Sequence, residues 1–273
     1  MTQTDKSENS PTGYQKLGKN ALNKFTIITS VLNGQDLIES TINSVLDQKY
    51  INFEYIVIDG NSSDKTLEIL NRYRHKITHI ISEPDEGIYD AWNKALKLLS
   101  GNWMCFIGCG DLLAKDALNK YNDYIIHNPE LEFISSRIEL IDEKGEAIRI
   151  VGSPWRWNKF KKYMNTLHTG ALHHRSLFEK HGYFNKEFKI AGDYEMLLRA
   201  QNNLNAGFLN AVTIKMRIGG VSVSDISVFD EVEKAKLMHT KKSKYVCRVE
   251  KYIDIIKLYT KLFINKYLGI RYI

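Results

Sequence analysis

Four short apolar runs, each followed by a segment with helical spacing, constrain the fold of this chain more than any other feature. The runs are FTIITSV (25–31), FEYIVID (53–59), KITHIIS (76–82) and NWMCFIG (102–108). After the first run, apolar residues recur three or four positions apart from Leu37 to Leu46, as they do on one face of a helix. Strands that alternate with helices form a parallel sheet covered on both faces, so this half is predicted to be α/β.

The pattern changes after about residue 128. Residues 132–150 predict two strands joined by a turn at Glu143-Lys144-Gly145, and residues 211–218 predict a further strand. A helix is predicted to begin near Asp193, because aspartate favours the first turn and apolar residues follow at helical spacing. This half is therefore expected to be α+β and more irregular.

The composition is that of an ordinary folded protein. A length of 273 residues, with 43% hydrophobic and 26% charged residues, corresponds to one large domain or two small ones. No stretch has the roughly 18 uninterrupted apolar residues of a membrane-spanning helix, and the N-terminal sequence lacks the apolar core of a signal peptide. The three cysteines form no CxxC pair, which argues against a disulfide framework and a zinc site. We therefore expect a cytoplasmic protein.

Polarity and charge divide the chain. The predicted divisions are a flexible polar leader (1–24), two halves of one domain (25–115 and 116–225) and a helical tail (226–273). Residues 231–273 contain 11 lysines and arginines against 4 acidic residues, whereas the whole chain has a net charge of +6. The tail predicts a basic amphipathic helix that either binds a membrane surface or packs on the protein body. A basic tail on a near-neutral body does not indicate a nucleic-acid groove.

The first group of candidate site residues follows the second predicted strand. The sequence DGNSSDKT (59–66) places the carboxylate of Asp59 at the strand end, then a glycine that permits close approach, then a helix start. Ligands bind at the carboxyl ends of parallel strands, so this loop is expected to bind one. The alternative is a tight turn in which Ser63 or Asp64 only caps the next helix.

The second group follows the third predicted strand, in SEPDEGIYDAWNK (82–94). This segment is acidic, and Lys94 lies one helical turn after Asp90, on the same face. Lys94 is therefore a candidate to neutralise a diphosphate. The alternative is an exposed Asp90–Lys94 ion pair, which would contribute only about 0.3–0.5 kcal/mol and have no functional meaning.

The third group follows the fourth predicted strand, in FIGCGDLL (106–113). Here Gly108 and Gly110 flank Cys109, and a single carboxylate, Asp111, follows directly. Two glycines at the end of an apolar strand indicate that the backbone passes close to another group. Mg²⁺ and Mn²⁺ take few protein carboxylates and complete their shells with water and phosphate, so one aspartate can suffice.

Five blocks, taken together, resemble the family 2 glycosyltransferases of the GT-A fold. In chain order they are TSVLNG (29–34), VIDGNSSDKT (57–66), SEPDEGIYDAWNKAL (82–96), FIGCGDLL (106–113) and FNKEFKIAGDYEMLLRA (184–200). One block alone is a weak signal, but five in the expected order over most of 25–225 are specific. The resemblance implies a Rossmann-like, mostly parallel sheet flanked by helices, with a nucleotide-sugar-binding first half and an acceptor-binding second half.

The resemblance also implies roles for single residues. It places Asp59 near the uracil or ribose of a UDP-sugar or another nucleotide-sugar, and Asp111 at a Mn²⁺ or Mg²⁺ ion. The residues that it assigns to donor binding are Ser30, Asn33, Asp59, Ser62, Asp85, Gly87, Asp90, Lys94 and His168. Where the family usually has Asp-x-Asp, this chain has Asp111 as its only carboxylate, so weaker metal binding is expected. Asp85 and His168 are the candidates for a second ligand.

The segment AGDYE (191–195) resembles the family block that supplies the catalytic base. Asp193 and Glu195 lie two apart and cannot point the same way on a helix, so only Asp193 is predicted to face the cleft. The resemblance implies an inverting single displacement in which Asp193 deprotonates an acceptor hydroxyl. The alternative is that Asp193 only caps a helix.

Together these features predict an enzyme of bacterial surface polysaccharide biosynthesis. We expect the acceptor to be a glycan, carried on a lipid, and the enzyme to lie in the cytoplasm or peripherally on the inner face of the plasma membrane. Two alternatives remain at this stage. One is an inactive glycan-binding protein that kept the fold, and the other is a nucleotidyltransferase, although Asn33-Gly34 is a poor phosphate loop.

Overall fold

The computed structural model describes residues 22–219 and 225–268, so most of the predicted leader lies outside the described residues. Leu22 packs against the hydrophobic core. The side-chain amide of Asn23 donates to Oδ1 of Asn122 at 3.0 Å. The described residues just before Phe25 therefore already contact the folded body.

The first half contains the predicted alternation of strands and helices. Its elements are β1 (Phe25–Val31), α1 (Ile38–Leu46), β2 (Phe53–Asp59), α2 (Thr66–Arg72), β3 (His79–Ser82), α3 (Ile88–Leu96), β4 (Trp103–Gly108), β5 (Leu112–Leu113) and α4 (Ala117–Ile126). Strand β3 begins three residues later than predicted. The amides of Lys76 and Ile77 donate to the carbonyl of Tyr73, so these residues continue the turn that ends α2.

The second half is more irregular, as predicted. Its elements are β6 (Phe133–Ile141), β7 (Ala147–Val151), α5 (Trp157–Phe160), β8 (Leu172–His174), α6 (Arg175–His181), α7 (Gly192–Ala200), β9 (Ala206–Arg217), α8 (Val228–His239) and α9 (Lys244–Leu268). The turn between β6 and β7 contains Gly145, whose φ of +86° favours glycine. Strand β9 begins five residues earlier than predicted, because Ala206 pairs with Phe133 at the start of β6.

The nine strands of the described residues form one sheet in the order β3-β2-β1-β4-β8-β6-β9-β5, with β7 paired to β6 outside this order. Strands β3, β2, β1 and β4 are parallel. Strand β8 joins them to the second half by antiparallel pairing with β4 and β6. In register, Ser30 lies beside Gly108, and Asp59 lies between Val31 and Ser82. The residues that follow these four strands therefore meet at one edge of the sheet.

Side chains alternate between two cores, one on each face of the sheet, because successive residues of a strand point to opposite faces. Ile27, Val57 and Ile107 pack in one core with α1, α2 and α4. Ile28, Ile56 and Phe106 pack in the other core with α3, α6 and α7. Both faces are covered, which explains why the parallel strands are continuous apolar runs rather than alternating ones.

Within residues 226–268, the predicted tail contains two helices rather than one, separated by residues 240–243. The first part of α9 belongs to the folded body. Cys247 is fully buried, and the buried ammonium of Lys236 in α8 lies 3.1 Å from Glu250 in α9. Further along α9, Tyr252, Ile256 and Tyr259 are more than half exposed. No helix within the described ranges is long and apolar enough to cross a membrane.

Candidate active site

A cavity of about 520 Å³ lies at the carboxyl ends of β1 and β4, where the topology places ligand sites in sheets of this kind. Its volume is in the range of small-molecule sites. The sequence-predicted residues that line it are Ser30, Asp85, Gly87, Asp111, His168 and Asp193. The cavity thus brings together residues from both halves of the chain that are up to 163 positions apart in the sequence.

Asp111 is a buried carboxylate at the end of β4. Its Oδ1 accepts a hydrogen bond from the backbone N–H of Arg217 at 3.0 Å. Burial raises the pKa of Asp111 to about 7, although this hydrogen bond and the Arg217 guanidinium oppose that shift. A Cβ at Gly108 would lie 3.0 Å from Oδ2 of Asp111, so the glycine keeps the space beside this oxygen open.

The residues around Asp111 fit a hard divalent cation of the Mg²⁺ or Mn²⁺ type. Among the described residues, no group of three or more His, Cys, Asp and Glu side chains forms a closed metal cage. Mg²⁺ is characteristically bound by one or two carboxylates together with water and phosphate oxygens, so a single carboxylate with open space beside Oδ2 suits it. Asp85 and His168 line the same cavity, but no closed ligand set includes them.

Asp193 lies at the start of α7, in contact with Tyr89 of α3. Its Oδ1 lies 3.1 Å from the hydroxyl of Tyr89 and accepts from its neighbour's amide, Tyr194 N–H, at 2.8 Å. Burial raises the pKa of Asp193 to about 6, and the negative charge of Glu231 contributes in the same direction. A Cβ at Gly192 would lie only 2.7–2.9 Å from the Tyr89 ring. The glycine before Asp193 therefore permits the ring to pack there.

Glu195, the other acid of this segment, points away from the cavity. It is 1% exposed and forms ion pairs with Arg199 and with His239 of α8. These two partners outweigh the effect of burial and lower the pKa of Glu195. The two acids of this segment therefore have different environments, as their spacing predicts.

His168 lies in the wall of the cavity between aromatic rings. Its ring stacks on Trp92, with centroids 5.0 Å apart and an interplanar angle of 16°, and also contacts Phe106. The side chain is 5% exposed, and its Nε2 has no hydrogen-bond partner among the described residues. Burial lowers the pKa of His168 to about 3, so the ring is neutral near pH 7.

Asp59 is fully buried and lies outside the cavity lining. Its carboxylate accepts hydrogen bonds from the amide and hydroxyl of Ser62 and, at 2.6 Å, from the hydroxyl of Ser82. The hydroxyl of Ser62 also accepts from the amide of Asn33 at 2.8 Å. These bonds tie together the loops after β1, β2 and β3. Asp85, which lines the cavity, packs closely against the loop after β2. A Cβ at Gly60 in that loop would lie only 2.7 Å from Oδ2 of Asp85.

The structure does not bring Lys94 or Asp90 to the cavity. The ammonium of Lys94 donates to the carbonyl of Pro84 at 2.7 Å and pairs with Glu83 at 2.9 Å and Asp90 at 3.7 Å. Asp90 also pairs with Lys186 at 3.2 Å. Both side chains hold the loop before α3, which matches the ion-pair alternative more closely than a diphosphate contact.

Three cavity residues received no individual role from the sequence: Tyr89, Trp92 and Lys189. Tyr89 and Trp92 lie on α3, where their spacing signals only a buried helix face. Lys189 lies in the irregular loop before α7, and its ammonium donates to the carbonyl of Glu86. Its position beside the cavity arises from the contact of two loops that are about a hundred residues apart in the chain.

Comparison with known proteins assigns the family. The sequence model of glycosyl transferase family 2 matches residues 26–182, which is more than half of the chain and covers β2, β3 and β4 entirely and β1 from its second residue. The chain belongs to glycosyl transferase family 2. It is therefore a glycosyltransferase, and the two alternatives, an inactive binding protein and a nucleotidyltransferase, are set aside.

Two relatives of this family 2 glycosyltransferase have named roles. A Mycobacterium bovis protein, "PGL/p-HBAD biosynthesis glycosyltransferase", is 26% identical over 191 residues, which cover 66% of this chain and 70% of the relative. A Bacillus subtilis protein, "Putative teichuronic acid biosynthesis glycosyltransferase TuaG", is 35% identical over 104 residues, which cover 37% of this chain and 41% of the relative.

Solved structures support the GT-A fold of this family 2 glycosyltransferase. Residues 1–349 of S. aureus TarS in complex with UDP-GlcNAc superpose with a TM-score of 0.63 at 18% identity, over 82% of this chain and 69% of that one. The mannosyltransferase PcManGT from Pyrobaculum calidifontis, in complex with GDP-Man and Mn²⁺, gives 0.62 at 18% identity, over 85% and 70%. The predicted fold class is confirmed.

Proposed function

We propose that this family 2 glycosyltransferase moves one sugar from a UDP-sugar to a hydroxyl of a glycan acceptor, by a single displacement with inversion. The observation that carries the proposal is the cavity itself. It holds Asp111 with open space beside one oxygen, Asp193 with a raised pKa, and a neutral His168 with an unpartnered nitrogen. Two carboxylates in different environments within one cavity suit two different tasks.

Asp193 is proposed as the general base. A carboxylate with a pKa of about 6 is ionised near pH 7 and still accepts a proton readily. Asp193 would take the proton of the acceptor hydroxyl, whose oxygen attacks the anomeric carbon from the side opposite the diphosphate. The bond between that carbon and the diphosphate oxygen breaks, and the diphosphate leaves with the electron pair. The Tyr89 hydroxyl would orient the carboxylate through its contact with Oδ1.

Asp111 would hold a divalent cation, Mn²⁺ or Mg²⁺, through its open Oδ2. Such an ion, when bound, stabilises the negative charge of the departing diphosphate. Lys189, at the rim of the cavity, is the protein cation placed to meet that charge, because the ammonium of Lys94 is already paired with Glu83 and Asp90. The neutral His168 would offer its Nε2 to the donor as a hydrogen-bond partner without adding charge.

The loops after β1, β2 and β3 would form the nucleoside-binding wall. Their mutual hydrogen bonds fix Asp59, Ser62 and Asn33 before any ligand arrives, which reduces the ordering cost of binding. Ser30, Asp85 and Gly87 then complete the wall on the cavity side. A UDP-sugar is the proposed donor. The complexes of TarS with UDP and UDP-GlcNAc support this choice, whereas the GDP-Man complex of PcManGT makes GDP-sugars the alternative to test.

A role in polysaccharide biosynthesis at the bacterial surface is proposed from the relatives. TuaG is named for teichuronic acid biosynthesis, and the mycobacterial relatives are named for PGL/p-HBAD biosynthesis. The proposed acceptor is a glycan on a lipid carrier. We place the enzyme in the cytoplasm, peripherally on the inner face of the plasma membrane.

The exposed face of α9 is proposed as the membrane contact. Tyr245, Tyr252, Ile256 and Tyr259 are all more than half exposed and recur three, four or seven positions apart. The exposed cations Lys244 and Lys257 lie on the same helix, in a tail that is strongly basic. Apolar side chains with neighbouring lysines bind an interface of anionic lipids, to which each nearby lysine adds about 1 kcal/mol.

The donor proposal is tested by thermal unfolding with UDP, UDP-sugars and GDP-sugars, each with and without Mn²⁺. A ligand at a hundredfold excess over its dissociation constant stabilises the native state by about 2.7 kcal/mol. We expect a Mn²⁺-dependent shift with UDP and with one UDP-sugar, and loss of the Mn²⁺ dependence in Asp111→Ala. Asp36→Asn, an exposed acid outside the cavity, is the matched control. Shifts with GDP-sugars alone would replace the donor, and no shift with any nucleotide would overturn the site.

The membrane proposal is tested by flotation with vesicles that contain phosphatidylglycerol or only phosphatidylcholine. The variant Tyr252→Ser/Ile256→Ser/Tyr259→Ser should lose binding to the anionic vesicles and keep donor hydrolysis. The control Ile51→Ser removes a side chain that is 84% exposed on another part of the surface and should bind as wild type does. Equal flotation of the triple variant and wild type would remove the membrane contact from the proposal.

A further inference from the structure

The N-terminus of α7, which carries Asp193, lacks a cap from its own sequence. Ala191, the residue before the helix, has no side-chain cap. The first backbone N–H groups of a helix have no partner within the helix and need one from elsewhere. Glu231, which lies on α8 about forty residues later in the chain, binds the backbone just before this helix, at the N–H groups of residues 189–191.

Glu231 accepts three backbone hydrogen bonds from consecutive residues. Its Oε1 accepts from the N–H of Lys189 at 2.7 Å, and its Oε2 accepts from the N–H groups of Ile190 at 2.9 Å and Ala191 at 2.8 Å. Lys189 and Ile190 line the cavity, and the carbonyl of Ile190 accepts from the Tyr89 hydroxyl at 2.7 Å. One carboxylate thus binds the backbone of three residues that lie directly before α7. Two of these residues line the cavity, and the proposed base follows them in the helix.

We propose that Glu231 is a positioning residue for Asp193: it holds residues 189–191 against α8 and thereby fixes the base and its Tyr89 contact in the cavity. The inference rests on the proposed role of Asp193 as the base. It makes the C-terminal region, beyond the part that the family model matches, a component of the active site.

The connection extends to α9 through ion pairs. Lys251 of α9 pairs with Asp230 and Glu233 of α8, which lie one and two positions from Glu231 in the sequence. The buried Lys236 of α8 pairs with Glu250 of α9. Helix α8 is therefore held between α9 on one side and the base-bearing segment on the other. Loss of α9 as a whole would leave Lys236 buried without its partner, so the proposal is tested by point variants rather than by truncation.

The charge of Glu231 also acts on Asp193. The ionisable groups that face Asp193 or line its cavity are Tyr89 from α3, Glu231 from α8, Lys189 from the preceding loop, and Asp85, Asp111 and His168. Glu231 is the acid whose negative charge helps to raise the pKa of Asp193. Removing that charge should lower this pKa, so the acidic limb of the rate profile should move to lower pH.

The experiment compares Glu231→Gln with wild type by amide hydrogen exchange, by the pH dependence of transfer, and by thermal unfolding. Glutamine has a single acceptor oxygen, because its Nε2 is a donor, so it cannot accept from residue 189 and from residues 190 and 191 at once, as the two carboxylate oxygens do. We expect at least about tenfold faster exchange at residues 189–191, which corresponds to about 1.4 kcal/mol, the scale of one hydrogen bond. We also expect about tenfold lower kcat and an acidic limb displaced by roughly half a pH unit or more.

Asp230→Asn is the matched control, because it removes an acid from the adjacent position of α8 that pairs with Lys251 instead of with the base segment. It should leave all three readouts at wild-type values. Unchanged exchange and an unchanged pH profile in Glu231→Gln would overturn the inference, even if that variant unfolds at a lower temperature. If Asp193→Asn keeps full transfer activity, the proposed base fails, and the exchange result then still decides whether Glu231 holds the segment.

Discussion

Two sides of the cavity differ in whether their buried polar groups have hydrogen-bond partners. On the loop wall (Asn33, Asp59, Ser62 and Ser82), the buried carboxylate of Asp59 is satisfied by hydroxyl and amide donors. On the reaction side (Asp111, His168 and Asp193), burial raises the pKa of both carboxyls, and a histidine nitrogen has no partner within the described chain. The wall is built to hold a shape, whereas the reaction side keeps polar groups available for a ligand.

The difference follows from the elements that carry the two sides. The loop wall comes from consecutive β–α units, whose loops lie side by side at the edge of the sheet. Its donors and acceptors can therefore form hydrogen bonds with one another. The reaction side is assembled from β4, the loop before β8 and α7, which meet only in the folded chain. Its groups reduce stability where they are ionised or unpaired, as residues of functional sites commonly do.

The largest expected effect is that of Asp193→Asn, which should lower kcat by about 10²- to 10⁴-fold and leave UDP affinity unchanged, because the base is lost and the loop wall is not.

The same variant should also change the pH dependence of stability. An aspartic acid with a raised pKa contributes most to stability below about pH 4, and this contribution is lost as the pH rises through about 6. The variant should therefore be more stable than wild type by about 1–3 kcal/mol at pH 8, with little difference at pH 4. Urea unfolding at both pH values checks this; lower stability of the variant at pH 8 would contradict the description of the reaction side.

His168→Phe comes next. The phenyl ring can keep the stacking on Trp92 and Phe106 while it removes the unpartnered nitrogen, so the free energy of unfolding should stay equal to that of wild type or increase. If Nε2 bonds the donor, kcat/KM should fall by about tenfold or more, on the scale of one buried hydrogen bond. Steady-state kinetics with the donor identified by thermal shift measures this. Wild-type kcat/KM in a well-folded variant would assign His168 to the core instead.

Ser82→Ala tests the loop wall. It removes the hydroxyl that donates to Asp59 at 2.6 Å, so a buried carboxylate loses one of its partners. We expect a loss of about 1–3 kcal/mol in unfolding free energy and several-fold weaker UDP binding, with kcat nearly unchanged. Isothermal titration with UDP, together with thermal unfolding, checks the result. A fall in kcat without weaker UDP binding would show that the wall and the reaction side are not separate.

The smallest expected effect is that of Lys94→Met. Its ammonium pairs with Glu83 and Asp90 outside the cavity, so kcat/KM should change by less than about threefold, and the unfolding free energy should fall by about 1 kcal/mol or less. The same substitution at Lys189, which lines the cavity, is the comparison. A loss of transfer with Lys94→Met as large as that with Lys189→Met would return Lys94 to the donor site.

The parallel half could be predicted closely, because its signals are local. Continuous apolar runs and helical spacing predicted β1, β2 and β4 to within one residue. The boundary of β3 was less accurate, since hydrogen bonds of the preceding turn compete for Lys76 and Ile77. The early start of β9 at Ala206 could not be read locally either, because its pairing with β6 joins residues more than 70 positions apart.

The residues of the candidate site also fall into two groups, those selected from the sequence and those that only the structure brought to the site. Sequence reasoning selected Asp85, Asp111, His168 and Asp193, and all four line one cavity, although their chemical roles stay predictions. It also placed Lys94 at the donor, where the structure shows an ammonium that is already paired. Lys189 and Glu231 received no role from the sequence, because a lysine and a glutamate are ordinary in these segments and only the folded chain brings them to the site.

The sequence by itself determined the parallel strands, the edge of the sheet at which polar loops gather, and the family. Strand patterns and block order are local properties, and so a single chain displays them. Only the tertiary structure decided which charges are paired and which face the cavity, because hydrogen bonding and burial depend on residues distant in the chain. It also decided that Glu231, from the basic tail, accepts hydrogen bonds from the three residues that lead into the helix of Asp193.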